Sequence, residues 1–257
     1  MSEPSPLEAL ARAAMLLEEQ GVGYALVGGL AVSVRGEVRF TRDVDLAIAV
    51  TNDREVERLV LELSAAGYTP RAVVEQDAVG RIATVRLVGP DRVTVDLLAA
   101  SSGIEDEVVA TAEPVEVAGA GMVPVARAEE LIALKVLALS PRRGQDALDL
   151  DGLLRVNETV DLVRVRVLLD LIAARGFSRG EIASSWGSAW RRSDITACSA
   201  GSSRCRSITR PTTAARRSRA GAGPRAPGSS SATVRWAISA RRMDASSRST
   251  TSSLSKY

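Results

Sequence analysis

Histidine does not occur in this 257-residue chain, and cysteine occurs only as Cys198 and Cys205. Without imidazole there are no serine-histidine triads, no histidine metal ligands and no histidine general bases. The first 186 residues carry no thiol, which excludes a disulfide, a cysteine zinc site and a cysteine nucleophile there. Lysine is nearly missing too: Lys135 is the only one in that stretch, and arginine fills every other basic position. No apolar run approaches the ~18 residues of a membrane span. The opening Met-Ser-Glu-Pro-Ser-Pro lacks the basic-then-apolar order of a signal peptide, so a soluble cytoplasmic protein with no membrane partner is expected. Carboxylates remain as the obvious chemical groups.

The net charge of +2 conceals an asymmetry. Residues 1–186 hold 19 basic and 29 acidic side chains, near −10, whereas 187–257 hold 14 and 2, near +12. Leucine stops at the same place: 25 precede Trp186 and only Leu254 follows it. Arg, Ser, Ala, Thr and Gly without apolar periodicity cannot offset ordering entropy by burial, so 187–257 is expected to be a disordered, low-complexity basic tail. Two origins fit it, an out-of-frame translation of a GC-rich gene or an authentic basic tail that contacts nucleic acid. Trp186 and Trp190 mark the end of the folded part.

The length allows one large domain or two small ones. Residues 1–125 read as a small α/β unit. Ser5-Pro6-Leu7-Glu8 has the signature of a helix start, and the helix runs to about Gln20. Tyr24–Val27 is a short strand entering Gly28-Gly29, after which Leu30 to Arg35 turn as a helix. Val44–Val50 reads as a strand and Asn52–Ala66 as an amphipathic helix closed by Gly67. Further strands are expected near Arg71–Val74, Arg81–Val88 and Arg92–Leu98, with a turn at Gly89-Pro90-Asp91. Residues 126–186 read as a helical region: Arg127–Leu139, Asp146–Arg155, Val160–Ala174, and a short helix from a capping box at Ser178 and Glu181.

In a strand from Asp43 to Val50 side chains alternate faces, so Asp43, Asp45, Ala47 and Ala49 share one side while Val44, Leu46, Ile48 and Val50 anchor the other. Two carboxylates about 7 Å apart on a rigid element repel unless a cation neutralises them, and a hard ion such as Mg²⁺ suits oxygen ligands. Asp96 interrupts the otherwise largely apolar strand Arg92–Leu98. If that strand lies beside the first, three carboxylates could hold two metal ions, the arrangement that clamps attacking and leaving oxygens in phosphoryl transfer. Gly28-Gly29 permits close backbone approach, and the following helix N-terminus favours negative charge, so this element could cradle a triphosphate.

Gly28-Gly29, thirteen intervening residues, Asp43-Val44-Asp45 and then Asp96 together resemble the DNA polymerase β nucleotidyltransferase superfamily. Within it, Gly28 to Asp45 resembles the AbiEii/AbiGii toxin-like nucleotidyltransferases, whose Arg-x-Thr-x-Asp-x-Asp pattern falls on Arg39, Thr41, Asp43 and Asp45. Val123 to Lys135 and Arg143 to Asp149 are similar to that family's Lys and Arg-x-x-Asp-x-x-Asp segments, and the resemblance covers roughly residues 20–155. It implies an α+β, polymerase β-like domain with a small mixed sheet and flanking helices. It further implies that Asp43 and Asp45 bind the catalytic metals, that Asp96 completes the site, and that Gly28, Gly29 and Ser33 line the nucleotide phosphates.

Lys135 reads as a flexible ammonium reaching a cleft toward nucleotide phosphate or base, against the alternative of a snorkelling lysine. Arg39 reads as a phosphate or acceptor contact, or as a charge-balancing partner. Asp146 and Asp149, on one helical face, support the site, orient Lys135 or Arg143, or belong to a solvated face. The function expected is transfer of a nucleoside monophosphate from an NTP to an acceptor hydroxyl with release of pyrophosphate and two Mg²⁺ as cofactors. The resemblance points to RNA, including a tRNA 3′ end, as acceptor, and to a cognate antitoxin as partner. Because the folded part is acidic, RNA would need a local basic patch from Arg35, Arg39, Arg127, Arg142 and Arg143. The alternatives are a small-molecule nucleotidyltransferase of the aminoglycoside-resistance kind, whose acidic cleft attracts a cationic drug, and a non-catalytic nucleotide-binding member.

Overall fold

Ser5 caps the first helix as its position predicts: its hydroxyl accepts from the Glu8 amide at 3.4 Å, and Pro6 opens α1 (Pro6–Glu19). The computed structural model describes residues 5–140 and 144–177. Arg142, Arg143, the capping box at Ser178 and Glu181, Trp186, Trp190 and the basic tail therefore lie outside the described residues.

Elements follow in the order β1 (Tyr24–Val27), α2 (Gly28–Arg35), β2 (Asp43–Ile48), α3 (Asp53–Ala65), β3 (Thr69–Gln76), β4 (Arg81–Val88), β5 (Thr94–Leu98), α4 (Glu105–Thr111), β6 (Glu113–Val117) and β7 (Gly121–Val125). Three helices come next, α5 (Ala128–Ala138), α6 (Gly144–Val156) and α7 (Leu162–Ala174). The strands form one mixed seven-stranded sheet in the order β3-β4-β5-β2-β1-β7-β6, the α+β architecture expected. β1 and β2 are antiparallel, β2 and β5 parallel, β4 and β5 antiparallel, and β7 runs parallel to β1.

The period-two reading of β2 holds. Val44, Leu46 and Ile48 are completely buried, while Asp43 and Asp45 on the other side are half-buried. Each buried large aliphatic side chain contributes roughly 1.5–3 kcal/mol, so this strand is pinned from its apolar face and its register is set. In α3 the Asn52 side chain accepts from the Glu55 amide, and Val56, Leu59 and Leu63 form the buried stripe. Gly67, at φ +95°, ends that helix where other residues would be strained.

Between residues 99 and 125, where no element was expected, the chain forms α4 and the β6–β7 hairpin. β7 completes the sheet beside β1 through Leu26 and Val125. α5 is apolar on nearly every side, burying Leu131, Ile132, Ala133 and Val136, which is the mark of an interior helix. The core is continuous from α1 through the sheet to Leu168 and Ile172 of α7. Lys135 is therefore carried on an interior helix.

Candidate active site

Asp45 lies in direct register with Asp96 across the parallel β2–β5 pair, and Asp96 in turn faces Arg86 across the antiparallel β4–β5 pair. One row across three strands thus reads Asp45, Asp96, Arg86. Asp43, two residues before Asp45, shares its face and pairs with Thr94. The condition for bringing the three carboxylates together, that β5 lie beside β2, is met.

Gly28 and Gly29 sit against this row. A Cβ on Gly28 would come within 1.9 Å of Asp45 Oδ2, and one on Gly29 would meet the Arg39 guanidinium at 2.6 Å and Thr41 Oγ1 at 2.8 Å. Gly28 also has φ +63°, a left-handed backbone conformation that disfavours any side chain. Close approach and backbone conformation together require the first glycine, and a side chain at the second would displace Arg39 and Thr41. They open α2, whose N-terminus has no side-chain cap, and the Gly29 backbone favours the ionised form of Asp45.

The Asp45 carboxyl is pushed up to about 6, first by burial, then by the Asp96 charge and to a lesser extent by Asp43. The Gly29 amide and Lys135 pull in the other direction and lose. An Asp that is reluctant to ionise between two other carboxylates is a position that a cation would relieve, so Asp43 and Asp45 fit a divalent ion. Asp96 is differently engaged: Arg86 Nε donates to Oδ1 at 2.8 Å and Nη2 to Oδ2 at 2.7 Å. This bidentate pair raises the Arg86 guanidinium further above its usual range. With both Asp96 oxygens held this way, no three carboxylates among the described residues are gathered into one ligand group. Sequence reasoning missed Arg86, although the hairpin around Gly89-Pro90-Asp91 fixes its register with Asp96.

A second cluster joins the loop before β2 to the helices. Lys135 Nζ lies 2.9 Å from Asp146 Oδ1 and 2.7 Å from Asp149 Oδ2. Arg39 Nε is 2.9 Å from Asp149 Oδ1, Arg39 Nη2 donates to Oδ2 at 3.2 Å, and Gln145 donates to Oδ1 at 2.9 Å. Burial alone would raise Asp149, but Lys135, Gln145 and Arg39 outweigh it and hold its carboxyl below the usual range. Lys135 is thus gripped by carboxylates inside the fold and does not snorkel. Of the readings open for Asp146 and Asp149, orienting Lys135 is the one the geometry matches; the solvated face is not, since both are buried. Arg39 has its charge-balancing partner in Asp149, not in the β2 pair.

Ser33 is occupied locally. Its hydroxyl accepts from the Arg39 amide at 3.2 Å and lies 3.1 Å from the Gly29 and Arg39 carbonyl oxygens. It therefore fixes the loop that carries Arg39 and Thr41 over Gly29. Of the other arginines considered for a basic patch, the two among the described residues are paired as well: Arg35 with Glu113, and Arg127 with Glu113 and Glu129. No helix among the described residues is long and apolar enough to cross a membrane.

The family model described as "Nucleotidyl transferase AbiEii toxin, Type IV TA system" matches residues 9–240, a span that continues past Trp186. The chain belongs to this family and is a nucleotidyltransferase. No curated protein sequence matches it significantly. Among solved structures it is similar to an antigenic nucleotidyltransferase-like protein from Paracoccidioides brasiliensis, at 17% identity and a TM-score of 0.44, covering 79% of this chain and 96% of that one. It is also similar to the lincomycin-bound lincosamide antibiotic adenylyltransferase LnuA, at 16% identity and a TM-score of 0.42, covering 61% and 100%. A third similarity is to the Thermotoga maritima CCA-adding enzyme complexed with tRNA, at 12% identity and a TM-score of 0.29, covering 77% and 53%.

Proposed function

We propose that this AbiEii-family nucleotidyltransferase moves a nucleoside monophosphate from an NTP to a hydroxyl of RNA, with tRNA the first acceptor to test, and that it acts as the toxin of a toxin–antitoxin pair. The observation that carries the chemistry is the row Asp45, Asp96, Arg86, with Gly28 pressed against Asp45. The acceptor oxygen bonds to the α-phosphorus, the bond from that phosphorus to the α,β-bridging oxygen breaks, and pyrophosphate leaves with the electron pair. The hydroxyl proton passes to Asp96, which Arg86 holds in place.

Asp43 and Asp45 would hold Mg²⁺, with Asp96 beside them. Two such ions supply charge neutralisation for the triphosphate and the leaving oxygen when bound. The chain's own residues do the positioning. The uncapped start of α2 at Gly28-Gly29 presents backbone amides to the phosphates. Ser33 braces that turn from behind, Thr41 packs on Gly29, and the buried Lys135–Asp149–Arg39 cluster ties the loop before β2 to α5 and α6. Lys135 and Arg39 then lend positive charge to the nucleotide side of the site, Lys135 acting on Asp45 already in this structure.

The test incubates the full chain with each labelled NTP, Mg²⁺, and either total tRNA or a set of aminoglycosides, beside Asp45→Ala. Label on tRNA that depends on Mg²⁺ and vanishes in the variant is the expected outcome. Label on an aminoglycoside alone would replace the RNA acceptor with a small cationic one, and label on neither would sink the catalytic reading.

A further inference from the structure

The chain has only two phenylalanines, and Phe40 leaves 79% of its surface in water. It lies three residues before Asp43, in the loop that closes over Gly29. Its neighbours on both sides turn inward: Arg39 reaches Asp149, and the guanidinium of Arg39 and the hydroxyl of Thr41 lie over Gly29. Exposure alternates along this loop: Val38, Phe40 and Arg42 are exposed where Arg39 and Thr41 are half-buried. Val38 is 88% exposed. The Arg42 guanidinium stands 5.6 Å from the centre of the Phe40 ring. Among the described residues Arg42 has no carboxylate partner, in contrast to Arg35, Arg39 and Arg127.

Burying an exposed ring would favour the fold, yet this one is displayed beside an active site with an uncommitted cation over it. A flat apolar face next to a positive charge matches a nucleobase followed by its phosphate, because every base offers a π-face and every linkage an anion. The sign also fits. The first 186 residues sit near −10, so a polyanion is admitted only where the positive charge is free, and Arg42 supplies it beside Asp43. The phosphate-facing wall at Gly29 lies on the opposite side of the loop, which separates Phe40 from the incoming triphosphate.

We propose that Phe40 and Arg42 form the acceptor subsite, the ring stacking on a base of single-stranded RNA near the accepting hydroxyl and the guanidinium meeting the adjoining phosphate. This rests on RNA being the acceptor. The test uses the full chain as wild type, Phe40→Ala, Phe40→Trp and Arg42→Gln. It reads KM for RNA, KM for the NTP, Kd for a fluorescent single-stranded RNA by anisotropy, and Tm. Phe40→Ala should raise both RNA constants roughly 5- to 150-fold, the range that loss of one base stack implies. KM for the NTP and Tm should stay put, and Phe40→Trp should restore RNA binding. Arg42→Gln should lower the slope of log K against log salt by about 0.7. Wild-type RNA constants in Phe40→Ala, with the wild type labelling RNA, would overturn the subsite alone. A rise confined to the NTP constant would also overturn it, since the ring would then serve the incoming nucleotide. No label on RNA from the wild type would overturn the acceptor reading, and the subsite with it.

Discussion

Replacing Asp45 by Asn should make the metal-free protein more stable while ending nucleotidyl transfer. Asp45 titrates near 6 in the fold, against roughly 3.9 for a free aspartate. The folded state therefore binds the proton more tightly than the unfolded chain, so the sign is opposite to that of a salt-bridged carboxylate. Between about pH 4 and pH 6 stability falls as pH rises, and above pH 6 the full penalty stands. Two units correspond to about 3 kcal/mol at 1.36 kcal/mol each. Asn keeps the shape of the side chain and removes the charge that burial, Asp96 and Asp43 penalise. At pH 8 in EDTA the variant should gain roughly 2 kcal/mol, or about 4–8 °C in Tm; at pH 4 the two proteins should coincide. Denaturant melts across pH 4–8 should be read as the difference between variant and wild type, since Asp149 and Glu107, whose carboxyls are lowered, run the other way. Mg²⁺ at ten times its dissociation constant should then stabilise the wild type by about 1.4 kcal/mol and the variant far less. A variant no more stable than wild type at pH 8 without metal would refute the claim that Asp45 is held in electrostatic strain.

Three other perturbations test the supports of the site. Lys135→Met leaves Asp146 and Asp149 buried with less compensation, and should cost about 3–5 kcal/mol in denaturant unfolding; a cost below 1 kcal/mol would show that the cluster is not a structural clamp. Gly28→Ala drives a methyl into Asp45 at a left-handed backbone position, so transfer should drop on the order of 100-fold, chiefly in kcat, because a displacement of about 1 Å is enough for that. Arg86→Met strips Asp96 of both its hydrogen bonds and should lose roughly 1–3 kcal/mol of stability. Its kcat should fall while KM for the NTP holds, and Arg86→Lys should recover part of the loss. An unchanged kcat in the methionine variant would remove Arg86 from the site.

What could be read in the sequence was local or periodic. The Ser5 and Asn52 caps, the alternation of β2 and the turn after β4 each follow from a few neighbouring residues, and the helix and strand limits shift by only a residue or two at most ends. α4 escaped because its N-terminus is held from within: Glu105 accepts from the Ser101, Ser102 and Gly103 amides, and Val108 is its one buried apolar residue. No stripe was there to detect. β6 carries Pro114 and two exposed glutamates, Glu113 and Glu116, so it reads as loop until β7 pairs with it.

The electrostatic partners divide along the same line. Arg86 and Asp96 are ten residues apart in a hairpin, so counting outward from the turn would have paired them. Arg39 and Asp149 are 110 residues apart, and only the packing of α6 against α2 joins them. Asp45 was recognised from its spacing as a charge that wants a cation, but the spacing does not say what already surrounds it. The structure answers with Arg86 satisfying Asp96 and with Lys135 committed to Asp146 and Asp149. Both built-in cations near the row therefore belong first to other carboxylates. The charge on Asp43 and Asp45 is what is left unmatched, and it is there that the protein has a physical reason to take up a metal ion.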